Sequence, residues 1–148
     1  MTALTIPTEH EEQAALIRWA SLNEWHEPRL AMLCAIPNGG VRAKATAGRL
    51  KAEGVRRGVP DLALFVPGIG KRPDHDGGTG YMAAALFVEL KRVKGGTVSR
   101  EQRAMIDALN RQGYRAEVCR GWIEAARVIA DYLGRDDLTA GIEGGWQR

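Results

Sequence analysis

Cysteine is scarce in this chain: Cys34 and Cys119 are the only two in 148 residues. Neither pairs with a nearby histidine at metal-ligand spacing. Both fall in apolar runs that read as strands, so both are expected to be small buried hydrophobes rather than a disulfide or a thiol centre. Histidine is almost as rare, and His10, His26 and His75 form no set with nucleophile or metal spacing. No apolar run is long enough to span a bilayer. The start, Met1 to Pro7, lacks the basic residues and apolar stretch of a secretory signal, so no membrane partner and a cytoplasmic location are expected. A phosphate-cradling P-loop is also missing. Gly68-Ile69-Gly70-Lys71 has neither the spacing nor the following Ser or Thr. There is no internal repeat and no domain boundary.

What is present fits one ordinary domain. Hydrophobic residues make up 45% and charged residues 26%, which suits a soluble globular protein with one core. The net charge of +3 is too small to identify a nucleic-acid partner, but its distribution is informative. Arg42, Lys44, Arg49, Lys51, Arg56 and Arg57 form one basic group, opposed only by Glu53. Lys91, Arg92, Lys94, Arg100 and Arg103 form a second. Such groups supply phosphate contacts or simply solvate a helix face.

Between the two groups lies the densest chemistry. Pro60-Asp61 opens the apolar run Leu62 to Val66, and the run Ala84 to Val88 leads into Glu89-Leu90-Lys91. Side chains alternate along a strand, so Glu89 and Lys91 share one face with Phe87 while Leu86, Val88 and Leu90 take the other. A carboxylate and an ammonium at one end of a buried strand are costly to desolvate. A divalent cation and an acidic substrate sharing the site would offset that cost, and phosphodiester hydrolysis needs such a set of groups. Asp61, Glu89, the carbonyl of Leu90 and water can supply the oxygens Mg²⁺ prefers. Lys91 is better suited to offsetting transition-state charge than to acting as a base, because a lysine of ordinary pKa, about 10.4, stays protonated. Ordinary strand-end salt bridges are the plainer account of the same residues.

Thr8 and Glu11 form a capping box that opens a helix running to about Trp25. Glu9 and Glu12 lie on its first turns. Either can complete a metal site or simply favour the helix dipole. Leu30 to Ile36 reads as a strand, Pro37 to Gly40 as a turn, and Ala43 to Glu53 as a basic helix stopped by Gly54. Asn38 and its two glycines either make a plain turn or let the backbone approach DNA. Pro67 to Gly80 reads as a long hairpin loop. Ser99 and Gln102 form a second capping box, opening a helix to about Gln112 with Gly113 as its stop. Gln102 can serve that box or reach the carboxylates; one side chain is not expected to do both. Tyr114 to Cys119 reads as a strand and Gly121 to Leu133 as a helix. The result is a single α/β domain over residues 1–133, with a small mixed sheet flanked by helices and a loose polar tail over 134–148.

At five stretches the sequence resembles the VRR-NUC (virus-type replication-repair nuclease) group of PD-(D/E)xK nucleases. They are Glu9-His10-Glu11-Glu12-Gln13, Pro37-Asn38-Gly39-Gly40, Gly54 to Leu62, Phe87 to Lys91, and Ser99 to Gln102. The resemblance implies a catalytic set of Asp61, Glu89, Lys91, Glu9 and Gln102. The metal ligands would be Asp61, Glu89, Leu90 and Glu9, with Glu9 preferred over Glu12 by its spacing to Gln13. It implies a Mg²⁺- or Mn²⁺-dependent DNA endonuclease. Small stand-alone members of the group are often phage proteins that dimerise and act on branched DNA such as four-way junctions. The expected DNA contacts are Asn38, Arg42, Lys44, Arg49, Lys51, Arg56, Arg57, Arg92 and Lys94. The alternatives are a non-catalytic DNA-binding protein that kept the fold and a nuclease directed at RNA.

Overall fold

A computed structural model describes residues 5–37, 44–70 and 82–142, without the side chains of Lys44 and Ala45. Asn38, Arg42 and the turn through Gly40 lie outside the described residues. Thr8 caps α1 (Glu9–Asn23) through the anticipated box: its side chain accepts from the N–H of Glu11, whose carboxylate accepts from the N–H of Thr8. β1 is only Leu33–Ala35. The expected strand start at Leu30 is instead a 3-10 turn, Pro28–Met32. Pro28 is pre-set for the first helical position, and Glu27 accepts from the N–H of Arg29. α2 (Lys44–Ala52) follows, and Gly54 takes a left-handed φ of 94° just beyond it.

The main sheet has four strands in the order β1-β2-β5-β6, with β2 at Leu62–Leu64, β5 at Leu86–Lys91 and β6 at Arg115–Arg120. It is mixed: β1 and β5 flank β2 antiparallel, while β6 runs parallel to β5 after the crossover helix α3 (Arg100–Arg111). Between β2 and β5 there is a second pairing, β3 (Gly68–Ile69), at the start of the expected loop, with β4 (Met82–Ala83), just beyond its end. Tyr132 sets it, because its hydroxyl sits 2.6 Å from the carbonyl of Val66 and 3.0 Å from that of Ala83.

One face of the sheet is the core face. Leu62 and Leu64 of β2 and Leu86, Val88 and Leu90 of β5 pack with Leu16, Trp19 and Ala20 of α1 and Ala126, Ile129 and Ala130 of α4 (Trp122–Leu133). Burial of these side chains is the main term holding the layers together. The C-terminal segment corrects the loose-tail expectation up to residue 142. A 3-10 turn, Asp136–Thr139, buries Leu138 in the core, and Ile142 packs against it. Cys119 is buried, but Cys34 is exposed on β1, the edge strand of the sheet.

Candidate active site

The face of the sheet opposite the core carries the chemistry. Leu62 pairs with Val88 and Ala63 with Phe87, so continuing the register one step sets Asp61 across from Glu89. Strand alternation then gives Asp61, Glu89 and Lys91 one common side. Asp61 also stays in the ladder through its backbone, since its carbonyl accepts from the N–H of Ile36 at 2.7 Å. Its Oδ2 accepts from the N–H of Leu90 at 2.8 Å. A strand residue's carbonyl faces the same flank as its N–H, so the Leu90 carbonyl is turned toward Asp61's side of β5.

Glu89 and Lys91 are 1% and 6% exposed, and Nζ of Lys91 lies 2.8 Å from Oε1 of Glu89. Gln102 supplies a second donor, its Nε2 donating to the same Oε1. The other carboxylate oxygen, Oε2, is buried and receives no hydrogen bond among the described residues. Burial pushes the Glu89 carboxyl above the ordinary carboxylate range. Lys91 opposes that shift, and the charges of Asp61 and Glu9 add to it. Burial likewise raises Asp61, against the pull of the Leu90 N–H and Lys91 and with a further push from Glu9. A buried and a half-buried carboxylate served by one ammonium leave an excess of negative charge and, among the described residues, an unsatisfied carboxylate oxygen. A divalent cation satisfies both, and the oxygen-only donor set is the kind that Mg²⁺ or Mn²⁺ takes.

Glu9 stands exposed at the first residue of α1, close enough for its charge to act on both carboxyls. Among the described residues, however, no three His, Cys, Asp or Glu side chains come together as a complete ligand set. The oxygens gathered here are those of Asp61 and Glu89 and the Leu90 carbonyl, with Glu9 at the rim.

Gln102 does what the sequence reading set as alternatives. Its Oε1 accepts from the N–H of Ser99 at 2.8 Å, closing the capping box of α3, while its Nε2 reaches Glu89. An amide has two ends, so one end serves the helix and the other the carboxylate. Gly58 brings the helix there. It adopts φ of 85°, and a Cβ on it would collide with the backbone of Glu101 and Gln102. Only glycine permits that approach. Glu12, expected to do no more than favour its own helix dipole, is instead buried, and its Oε2 accepts from the N–H of Trp122 at 2.8 Å. It caps α4 from another helix. The Gly121 N–H just before it donates to the carbonyl of Lys91 at 2.7 Å. Neither role was read from the sequence. The signals were a glycine inside Gly54–Asp61 and a glutamate three residues from Glu9, both consistent with several other roles.

The candidate phosphate contacts Arg49, Lys51, Arg56, Arg57, Arg92 and Lys94 are all exposed. Arg49 holds an exposed i,i+4 pair with Glu53 at 2.8 Å, which is worth little in water and leaves the charge available. Lys44 opens α2.

The family model of the VRR-NUC domain matches residues 5–122. The chain belongs to the VRR-NUC family. Its fold is of nuclease type, and nucleic acid is the substrate class that such a domain implies. A solved structure, a VRR_NUC domain protein, is similar with a TM-score of 0.67 over 86% of this chain and 89% of that one, at 23% identity. That likeness is one of fold. No curated protein matches the chain. No described helix of this VRR-NUC domain is long and apolar enough to cross a membrane.

Proposed function

We propose that this protein is a divalent-metal-dependent endonuclease that hydrolyses phosphodiester bonds in DNA. The observation supporting it most directly is the buried Glu89 carboxylate facing the half-buried Asp61, with Oε2 of Glu89 unpartnered among the described residues and Lys91 alongside. Asp61, Glu89 and the Leu90 carbonyl would hold Mg²⁺ or Mn²⁺, with Glu9 reaching in from the rim. The ion would supply Lewis acidity at the phosphate and a lowered pKa for an adjacent water. Lys91 offsets charge that builds on the non-bridging oxygens as water attacks phosphorus in line and the bond to the 3′ oxygen breaks. Gln102 keeps Glu89 from swinging away. The exposed basic residues on α2, on the segment before Pro60 and after β5 hold the strand by its phosphates. Branched DNA, met by a homodimer with two sites, is the proposed substrate arrangement, and the working compartment is the cytoplasm.

The second reading is a DNA-binding protein without catalysis. The desolvated Asp61–Glu89–Lys91 cluster argues against it, because phosphate binding alone needs no buried carboxylates. A cleavage panel over linear, flapped and four-way DNA, with RNA in parallel, separates the readings when run with Mg²⁺, Mn²⁺ and EDTA. Cleavage that EDTA stops is the expected result. Asp61→Asn should abolish cleavage and spare DNA binding. An Asp61→Asn protein that cuts at the normal rate would show that the site lies elsewhere.

A further inference from the structure

The catalytic face of the sheet carries a second feature that hydrolysis does not use. Phe87 lies two residues before Glu89 on the same strand and so on the same face, about 7 Å along β5. Its ring meets Phe65 edge-to-face at 6.4 Å on one side and Tyr114 at 5.5 Å on the other. Phe65 continues β2, since its N–H donates to the carbonyl of Met32 at 3.3 Å, and falls on the face of Asp61 and Ala63. The three rings therefore form a row across the sheet on the face of the two carboxylates, with Phe87 the nearest of them to Glu89. Phe87 and Tyr114 are half-buried, but Phe65 at the open end is 49% exposed. The main core cluster lies on the far side of the sheet and includes none of the three rings, and Phe65 is the one left most open.

We propose that Phe65, backed by Phe87, is a stacking site for an unpaired base of the nucleic acid whose phosphate occupies the Asp61–Glu89 centre. The inference rests on the nuclease reading and names its substrate class. A base inside a duplex is stacked on its neighbours and offers no face to a side chain. An unpaired base at a fork, flap or junction offers one, and aromatic side chains bind it with little regard to sequence. Phe65 lies four residues from Asp61 along β2, about 13 Å, a distance that about two nucleotides span. The platform thus selects DNA with an unpaired nucleotide about two positions from the cleaved bond, while the basic residues hold any strand alike. A second copy of this chain is the competing occupant. The row's adjacency to the carboxylates favours the base, because a protein partner seated there would shut the substrate out.

The test is equilibrium binding in EDTA, where cleavage plays no part, so that its outcome is separate from that of the hydrolysis assays. The probes are a forked DNA with 2-aminopurine at the first unpaired position and a fully paired duplex of equal length. Phe65→Ala should weaken fork binding about tenfold and leave duplex binding within about twofold. Phe65→Trp, which keeps a stacking surface, should retain fork binding and quench 2-aminopurine as the wild type does. Thermal melting of both variants checks the fold. The proposal is overturned if the wild type does not prefer the fork, if Phe65→Ala loses both probes equally or neither, or if Phe65→Trp also fails. A change of sedimentation with Phe65→Ala would reassign the face to a second copy of the chain.

Discussion

Gln102 donates to Glu89 with the nitrogen of the same amide whose oxygen accepts from Ser99. The start of α3 and the carboxylate of β5 are thus joined through one side chain. Because the Ser99 N–H can only donate, it fixes the amide's orientation and leaves the nitrogen end for Glu89.

Gln102→Glu tests that link. Glutamate closes a capping box as well as glutamine does, so α3 and the melting temperature should be nearly unchanged. The variant, however, sets a carboxylate against Glu89 in place of a donor. We expect DNA cleavage to fall about 100-fold or more, the scale of a misplaced catalytic group. Single-turnover cleavage alongside thermal melting gives both readouts, and an active Gln102→Glu protein would show that the contact is incidental.

Gly58 should tolerate no side chain. Gly58→Ala meets both a left-handed φ of 85° and the backbone of Glu101 and Gln102. The expected loss is about 2 kcal/mol or more in urea unfolding, with cleavage reduced further than stability because α3 carries Gln102. Gly54→Ala is the control, since it shares a positive φ but has open space around the added carbon.

Glu12→Ala leaves the Trp122 N–H without its partner inside a buried junction. We expect about 1–3 kcal/mol of destabilisation. Glu12→Gln keeps an acceptor oxygen and should lose distinctly less. Chemical denaturation of the two variants distinguishes a trans cap from generic helix-end charge, for which the two should behave alike.

Glu27 should make the native state sensitive to acid. This buried carboxylate accepts two hydrogen bonds from the Arg29 guanidinium and one from Arg135, and Arg29 above all holds its pKa down from 4.5 to about 2. A depressed folded-state pKa stabilises the native state above the unfolded value, and that stability drains away as pH falls from about 4.5 towards 2. The contribution is on the order of 3 kcal/mol. Melting temperature against pH should slope downward through that window, and Glu27→Gln should flatten the slope while lowering stability at neutral pH.

Much of the site was legible because strand alternation is strict. Once Ala84 to Lys91 reads as a strand, Glu89 and Lys91 must share a face, and they form an ion pair there. Both capping boxes were legible for the same reason, being local and fixed in spacing. What escaped was set by distant partners. The β3–β4 pairing is two residues long on each side and depends on Tyr132, far along the chain. Leu30 to Met32 are apolar enough for a strand, yet Pro28 and Glu27 start a turn. Cys34 sits in an apolar run, but its exposure follows from edge position, which no local pattern encodes. Leu138 looked like one apolar residue in a polar tail, and its burial depends on where α4 ends.

Along β5 the interior residues Leu86, Val88 and Leu90 alternate with Phe87, Glu89 and Lys91 of the cleft. A single inserted or deleted residue there would turn the whole strand over, thrusting Glu89 among leucines and presenting leucines to DNA. Foldability and activity are consequently inherited together in that strand. Frame-preserving drift can tune the surroundings of the cleft, but it cannot slide the carboxylates to a new position while keeping the interior intact.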